Sequence, residues 1–269
     1  MTSLKLMIAC HKKCEVPSDP VYLPLQVGAA GKDEIGFTRD DTGENISRLN
    51  PCYCELTGLY WCWKNLDVDW LGLVHYRRYF TMKSGTWRRQ HSELEGALTQ
   101  EEAESLIKTA KIIVPKKRRY YIESIYSHYS HTFDHTQLDT CRSILVSKNP
   151  SYVSAFDSVM KSTGGYMFNM FLMDHAMVDS YCSWLFDVLQ QLIDQTDSSG
   201  MSDFEKRYAG RISEILFNVW LKYQLETGTV KPSEIREVSY FYLGKIDWSR
   251  KVKSFLAAKF LHKKYDRSF

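Results

Sequence analysis

The sequence lacks any apolar run near the roughly 18 to 20 residues that a membrane-spanning helix needs. Its opening, MTSLKLMIACHKK, has too short an apolar core for a secretory signal, so a cytoplasmic protein is expected. There is no Walker-type phosphate loop, no Gly-x-Gly-x-x-Gly fingerprint and no Gly-x-Ser-x-Gly elbow, which argues against ATPase, dehydrogenase and serine-hydrolase chemistry. None of the 7 cysteines forms a Cys-x-x-Cys pair, and an odd number scattered over a long chain reads as reduced thiols rather than a zinc ribbon or a disulfide framework. Charge of one sign is scarce too: 35 Lys+Arg against 32 Asp+Glu leave +3 over 269 residues. No nucleic-acid partner is expected from that balance.

What is present suits one large globular domain with an appendage: 44% apolar, 25% charged and 14% aromatic residues. Three short apolar runs read as strands, over 4–10, 70–74 and 111–114. Each ends in a polar or basic cluster: His11-Lys12-Lys13, His75-Tyr76-Arg77-Arg78, and Lys116-Lys117-Arg118-Arg119 after Pro115. Between them lie helical patterns over 51–65, 122–147, 151–161, 176–195 and 204–225, and a capping box at Thr99 opens another helix to about residue 109. Residues 166–173 read as a further strand. The order predicts an α/β domain of nucleotide-binding type, with its working edge at the C-terminal ends of parallel strands.

Continued strand alternation places His75, Arg77 and Tyr79 on one face and Tyr76, Arg78 and Phe80 on the other. An Arg fork and an imidazole at i and i+2 could bind a diphosphate directly, while the alternative is arginines paired with carboxylates at the sheet edge. Residues 41–64 combine a polar loop with an aromatic helix bearing Glu55, Thr57, Tyr60 and Lys64, a composition suited to gripping a base or a sugar ring. His128, His131 and His135 fall at i, i+3 and i+7; solvated or capping histidines are the commoner outcome of such spacing, and no metal ligand is assigned.

A family resemblance rests on ACHK (9–12), YLPLQVGA (22–29), ENISRLNPCYCELTGLYWCWKN (44–65) and GLVHYRRYF (72–80). It continues through IIVPKKRRY (112–120), YMFNMFLM (166–173), YCSWLFDVL (181–189) and RYAGRISEILFNVWL (207–221). Over about residues 4–225 the chain resembles a bacterial capsular and exopolysaccharide biosynthesis family that has carried the label of a domain of unknown function. That family is related to the galactofuranosyltransferase module of O-antigen polymerases. The resemblance implies an A-type glycosyltransferase fold, its nucleotide-binding sheet flanked by helices, that uses a nucleotide sugar, with UDP-galactofuranose the best donor. Donor contacts are expected from His11, Lys12, Asn45, Glu55, Tyr60, Lys64, His75, Arg77 and Arg78.

A-type transferases usually hold a divalent ion with Asp-x-Asp at the end of a central strand; here His75-Tyr76-Arg77 takes that spacing with the charge reversed. No obligatory cofactor is therefore expected, with Mg or Mn left open. An inverting transfer needs a carboxylate base. Glu214 is the first choice, against a simple ion pair with Arg211 or Arg207, and Asp174 the second. Asn169, in the middle of an apolar strand, and Arg211 are expected at the substrate.

Residues 245–269 hold eight Lys/Arg and two acids, a balance of +6 that leaves −3 on 1–244. Trp248, Val252, Phe255, Leu256 and Phe260 recur at helical spacing, so a basic amphipathic helix is expected as a C-terminal unit after a transferase domain of 1–244. Such a helix suits an anionic membrane surface as well as it suits docking on its own domain. The membrane alternative fits a lipid-linked glycan acceptor and a peripheral place on the inner face of the cell membrane.

Overall fold

The computed structural model describes residues 2–244. The expected basic helix over 245–269 lies outside the described residues. In chain order the strands are β1 (Leu4–Cys10), β2 (Tyr22–Gln26), β3 (Thr38–Arg39), β4 (Trp70–His75), β5 (Arg78–Thr81), β6 (Ile112–Pro115), β7 (Arg118–Arg119), β8 (Gly164–Gly165), β9 (Phe171–Asp174) and β10 (Ile235–Tyr242). The helices are α1 (Asn50–Tyr53), α2 (Leu56–Asn65), α3 (Gly85–Gln90), α4 (Gln100–Ile107), α5 (Ile125–Thr132), α6 (Thr136–Lys148), α7 (Val153–Lys161), α8 (His175–Asp194) and α9 (Tyr208–Glu226).

The main sheet runs β3-β2-β1-β4-β5-β10-β6-β9, with β9 also paired to β4; β7 and β8 form a separate ribbon. β3, β2, β1 and β4 are mutually parallel, β9 runs against β4 and β6, and β10 runs with β6 and against β5. The C-terminal ends of β1, β2, β4, β6 and β10 and the start of β9 therefore share one edge. Strand β1 is buried at nearly every position, as expected of a parallel strand covered on both faces. Gly72 in β4 allows the close approach of β9: a Cβ there would stand 2.5 Å from the Phe171 carbonyl oxygen.

The mixed α/β order is as expected, and the Thr99 capping box is present, with the hydroxyl accepting from the Glu102 N–H and the Glu102 carboxylate accepting from the Thr99 N–H. Four local readings need correction. The helix over 51–65 is two, broken at Cys54, whose φ of 54° no helix accepts; the Asn50 amide donates to the Cys54 carbonyl at 2.7 Å and fixes the break. The helix over 122–147 is also two, since Phe133 is extended and Asp134 starts α6 by accepting from the Thr136 N–H at 3.0 Å. The run 72–80 is a hairpin rather than one strand, with His75 paired to Arg78 across a Tyr76-Arg77 turn, so strand alternation stops at His75. Finally, 166–173 is a strand only from Phe171. Phe168 (φ 80°) and Asn169 (φ 51°) are consecutive left-handed residues, a conformation costly for side chains of their size.

Candidate active site

The corrected turns converge on the shared edge. Helix α9 grips the segment before β9 from one side. The Asn218 amide donates to the Tyr166 carbonyl at 2.8 Å and accepts from its N–H at 2.7 Å. Ser213 Oγ donates to Asn169 Oδ1 at 3.1 Å, and the Glu214 carboxylate accepts the Phe168 N–H. From the other side, Asn169 Nδ2 donates to Glu55 Oε1 at 2.8 Å, and His75 Nε2 donates to the Phe168 carbonyl. Arg78 stacks its guanidinium over Phe168 at 4.1 Å and Tyr242 at 4.7 Å, and its buried Nε has no hydrogen-bond partner among the described residues. His75, Arg78, Glu55, Asn169 and Glu214, all singled out in the sequence, thus form one cluster around a strained turn.

Burial raises the Glu214 carboxyl above the ordinary range; the Glu55 charge adds to that, while the Phe168 N–H, Arg78 and Arg118 pull the other way. Burial likewise lowers His75, reinforced by Arg78 and opposed by Glu55 and the Phe168 carbonyl. His75 spends its Nε2–H on the Phe168 carbonyl and holds the turn, with burial disfavouring its charged form, so that donor is not turned toward a diphosphate as expected.

A second, cationic group sits beside the first, at the ends of β1 and β4. The Tyr76 ring is met edge-on by His11 at 5.0 Å, with Lys12 at 5.7 Å and Arg77 at 6.0 Å. Partial loss of water lowers the His11 pKa first, and the positive charges of Lys12, Arg207, Lys32 and Arg77 lower it further. Arg207 is anchored by its Nε, 3.3 Å from Cys54 Sγ. Mutually repelling cations at a sheet edge, largely exposed, set up a local positive field that an anion could neutralise.

Beyond β2 an open pocket of about 490 Å³ is lined by Ala30, Gly31, Asn45 and Arg48 among others. The chain segments that supply this lining are tied together by Asp40, which is fully buried. One Asp40 oxygen accepts from the Ala29 N–H at 2.9 Å and from the Ser47 hydroxyl; the other accepts from the Gly28 N–H at 2.7 Å and the Thr57 hydroxyl at 2.6 Å. Gly28 (φ 61°) must be glycine, since a Cβ would lie 2.3 Å from the Asn50 side chain.

The remaining expected site residues stand elsewhere. Asp174 caps α8 by accepting from the Met177 N–H at 2.9 Å, and it pairs with Trp70, the first residue of β4; it is at the opposite edge of the sheet from His75. Helix α2 begins at the site and ends about 14 Å away at its far end, which carries Lys64 off with it. The Lys64 ammonium lies 3.5 Å over Trp63, and Tyr60 packs edge-on to Phe186 of α8 while donating to Glu44 at 2.8 Å. Arg211 donates to the carbonyls of Phe204 and Glu205, both at 2.8 Å, and so holds its own chain rather than a substrate. Asn45 shapes a turn, donating to Gly43 O at 3.0 Å and accepting from the Ser47 N–H at 3.2 Å, although it also reaches the pocket. His128 and His131 both bond Glu123, His135 bonds Asp139, and among the described residues no group of His, Cys, Asp and Glu is arranged to hold a metal ion.

Residues 5–225 match the family model described as Domain of unknown function (DUF4422). The chain belongs to the DUF4422 family. A solved structure titled as the apo form of the WbbM bifunctional glycosyltransferase is similar to this DUF4422 chain at a TM-score of 0.81 and 29% identity. The similarity covers 91% of this chain and 46% of that one, so the DUF4422 chain spans about half the length of its structural relative. No match was found among curated proteins. No helix among the described residues is long and apolar enough to cross a membrane.

Sequence reasoning over this DUF4422 chain missed Asp40, Arg207 and Ser213. Asp40 is one of several acids in a polar loop, and nothing in its neighbours marks it as buried. Arg207 was visible only as a possible partner of Glu214. Its approach to Cys54 depends on the helix break.

Proposed function

We propose that the protein is a glycosyltransferase that moves a sugar from a nucleotide-sugar donor to a glycan hydroxyl with inversion. The observation that carries this is the 0.81 TM-score likeness, at 29% identity, to a bifunctional glycosyltransferase over 91% of the chain. The edge geometry supports it: cations for a diphosphate beside a carboxylate with a raised pKa.

In this reading His11, Lys12, Arg77 and Arg207 face the donor diphosphate, and the pocket beyond β2 takes the nucleoside. Glu214 accepts the proton of the acceptor hydroxyl as its oxygen bonds to the sugar C1. The C1–O bond to the diphosphate breaks, and its electron pair leaves on the nucleoside diphosphate, stabilised by the cations. Arg78, with one buried donor to spare, faces the sugar or the phosphate next to it. UDP-galactofuranose is the proposed donor and a lipid-linked capsular, exopolysaccharide or O-antigen glycan the proposed acceptor, with residues 245–269 meeting an anionic membrane from the cytoplasmic side.

Slow release of UDP from a UDP-sugar without acceptor, found by screening donors that raise the melting temperature, is the expected result. A donor that binds and is never turned over, with or without glycan, would reduce the protein to a binding member of an assembly complex. We expect turnover to persist in excess chelator; complete loss restored by Mg or Mn overturns the metal-free reading.

A further inference from the structure

The two most exposed large apolar side chains among the described residues are neighbours, Tyr121 at 81% and Ile122 at 64%. They are not on a loose loop tip. The Ile122 N–H donates to the Tyr120 carbonyl at 2.7 Å, closing a three-residue γ-turn with Tyr121 at its centre and φ at 57°. Such a turn is strained for any residue with a side chain, and more so for an aromatic one. Both flanks are fixed: the Tyr120 N–H donates to the Thr163 carbonyl at 2.8 Å, and the Ile125 N–H to the Ser162 carbonyl at 2.8 Å. Tyr120 itself is buried. The chain thus holds an unfavourable backbone conformation whose effect is to turn a tyrosine and an isoleucine outward.

Immediately before this turn come Lys116, Lys117, Arg118 and Arg119, all exposed. Arg118 and Arg119 form β7, held against β8 of the Gly164-Gly165 segment, so this basic run is part of an ordered ribbon rather than a free arm. The run leaves the C-terminal end of β6, the same edge of the sheet on which the candidate site stands, and Arg118 is near enough to Glu214 to lower its pKa. Cations beside an outward pair made of one interfacial aromatic and one aliphatic residue form the pattern of a peripheral membrane contact. The charges meet anionic headgroups, the tyrosine settles at headgroup level and the isoleucine reaches the acyl boundary.

We propose that residues 116–122 are an anionic-lipid contact, built into the folded domain and separate from the basic C-terminal segment. It would set the sheet edge that carries Arg78, with Glu214 of α9 packed beside it, next to the bilayer surface. Four basic residues in succession argue for a polyanionic surface over a neutral glycan; stacking of Tyr121 on a sugar ring is the competing outcome.

The test uses the full chain and hydrogen–deuterium exchange, which reports 116–124 independently of 245–269. Vesicles of phosphatidylcholine with phosphatidylglycerol should slow exchange in 116–124 at least several-fold, and pure phosphatidylcholine vesicles should not. The variant Tyr121→Gly/Ile122→Ser keeps the turn, because glycine accepts the positive φ, and removes the protruding side chains. It should lose that protection and bind anionic vesicles at least fivefold more weakly in sedimentation, with an unchanged melting temperature. Unchanged exchange in 116–124 on anionic vesicles overturns the proposal, even if the protein sediments with them through its tail. Protection by a soluble oligosaccharide without vesicles, and none by vesicles, overturns it in favour of a glycan platform. Neither reading depends on transferase activity, so loss of turnover in the variant would not bear on it.

Discussion

Asn169 reaches across 114 residues of chain to place its amide 2.8 Å from Glu55 Oε1, with Ser213 Oγ 3.1 Å from its other end. This single amide links α2 to α9 and holds the left-handed turn from which Glu214 and His75 are both bonded through Phe168. Asn169→Ala removes the amide and leaves Glu55 without that donor, a loss of about 1–3 kcal/mol for an unsatisfied buried group. Asn169→Gly accepts the same φ and so separates backbone strain from side-chain bonding. Urea unfolding should show Ala less stable than Gly and both below wild type, with turnover reduced in each. Equal stability of all three would mean that the amide holds nothing.

Glu214→Gln should leave donor affinity within a few-fold while lowering turnover by about 10²-fold or more, in line with the loss of a general base. Stability should move the other way. A carboxyl whose folded pKa is raised above its unfolded value binds more protons when folded. It therefore weakens the fold progressively as pH rises from about the unfolded value, 4.5, through the folded one. The Gln variant escapes that penalty. Its melting temperature should exceed wild type at pH 8 and match it near pH 4, and a uniform offset at both would point to packing instead.

His11 carries a lowered pKa for want of water and because Lys12, Arg207, Lys32 and Arg77 surround it. An anion placed among these cations favours the protonated imidazole, so pyrophosphate or UDP should raise the His11 pKa, visible by NMR titration of the ring proton. Arg207→Ala should raise it as well, without any ligand. A His11 titration indifferent to both would place the anion elsewhere on the sheet edge.

Asp40→Ala strips four donors of their acceptor in a fully buried setting, and each buried donor left unpaired costs about 1–3 kcal/mol. Asp40→Asn, which keeps one acceptor oxygen, should fall between Ala and wild type. Chemical denaturation decides this, and loss of nucleotide affinity in the Asn variant at a temperature where it remains folded would show that the Gly28–Ala29 backbone must be held for binding.

The strands ending in basic clusters were legible because burial on both faces writes continuous apolar runs, as in Leu4–Cys10, and because the polar residues that follow belong to the edge. Helices α4, α8 and α9 followed from capping and periodicity. The turns at Cys54, Tyr76-Arg77 and Phe168-Asn169 did not, since none carries the Gly or Pro that marks a break; the first is fixed by the Asn50 amide four residues earlier, and the other two by partners far along the chain, Leu243 and α9. Because residue placement depends on those turns, Glu214, Glu55 and Asn169 share one cluster, with Asn169 reaching it from a turn rather than the strand its apolar neighbours predict. Asp174 and Lys64 were lost to the opposite edge for a simpler reason. The direction in which a strand or helix runs cannot be read from its composition.

The first turn of α2 has one further consequence. Glu55 bonds Asn169, and Thr57, two residues on, bonds Asp40 at 2.6 Å. The Asp40 network and the strained turn are thus fastened to neighbouring side chains at the start of one helix. That shared anchor should make Thr57→Val and Asn169→Ala non-additive in nucleotide affinity. The left-handed Cys54, immediately before Glu55, is where these two anchors meet.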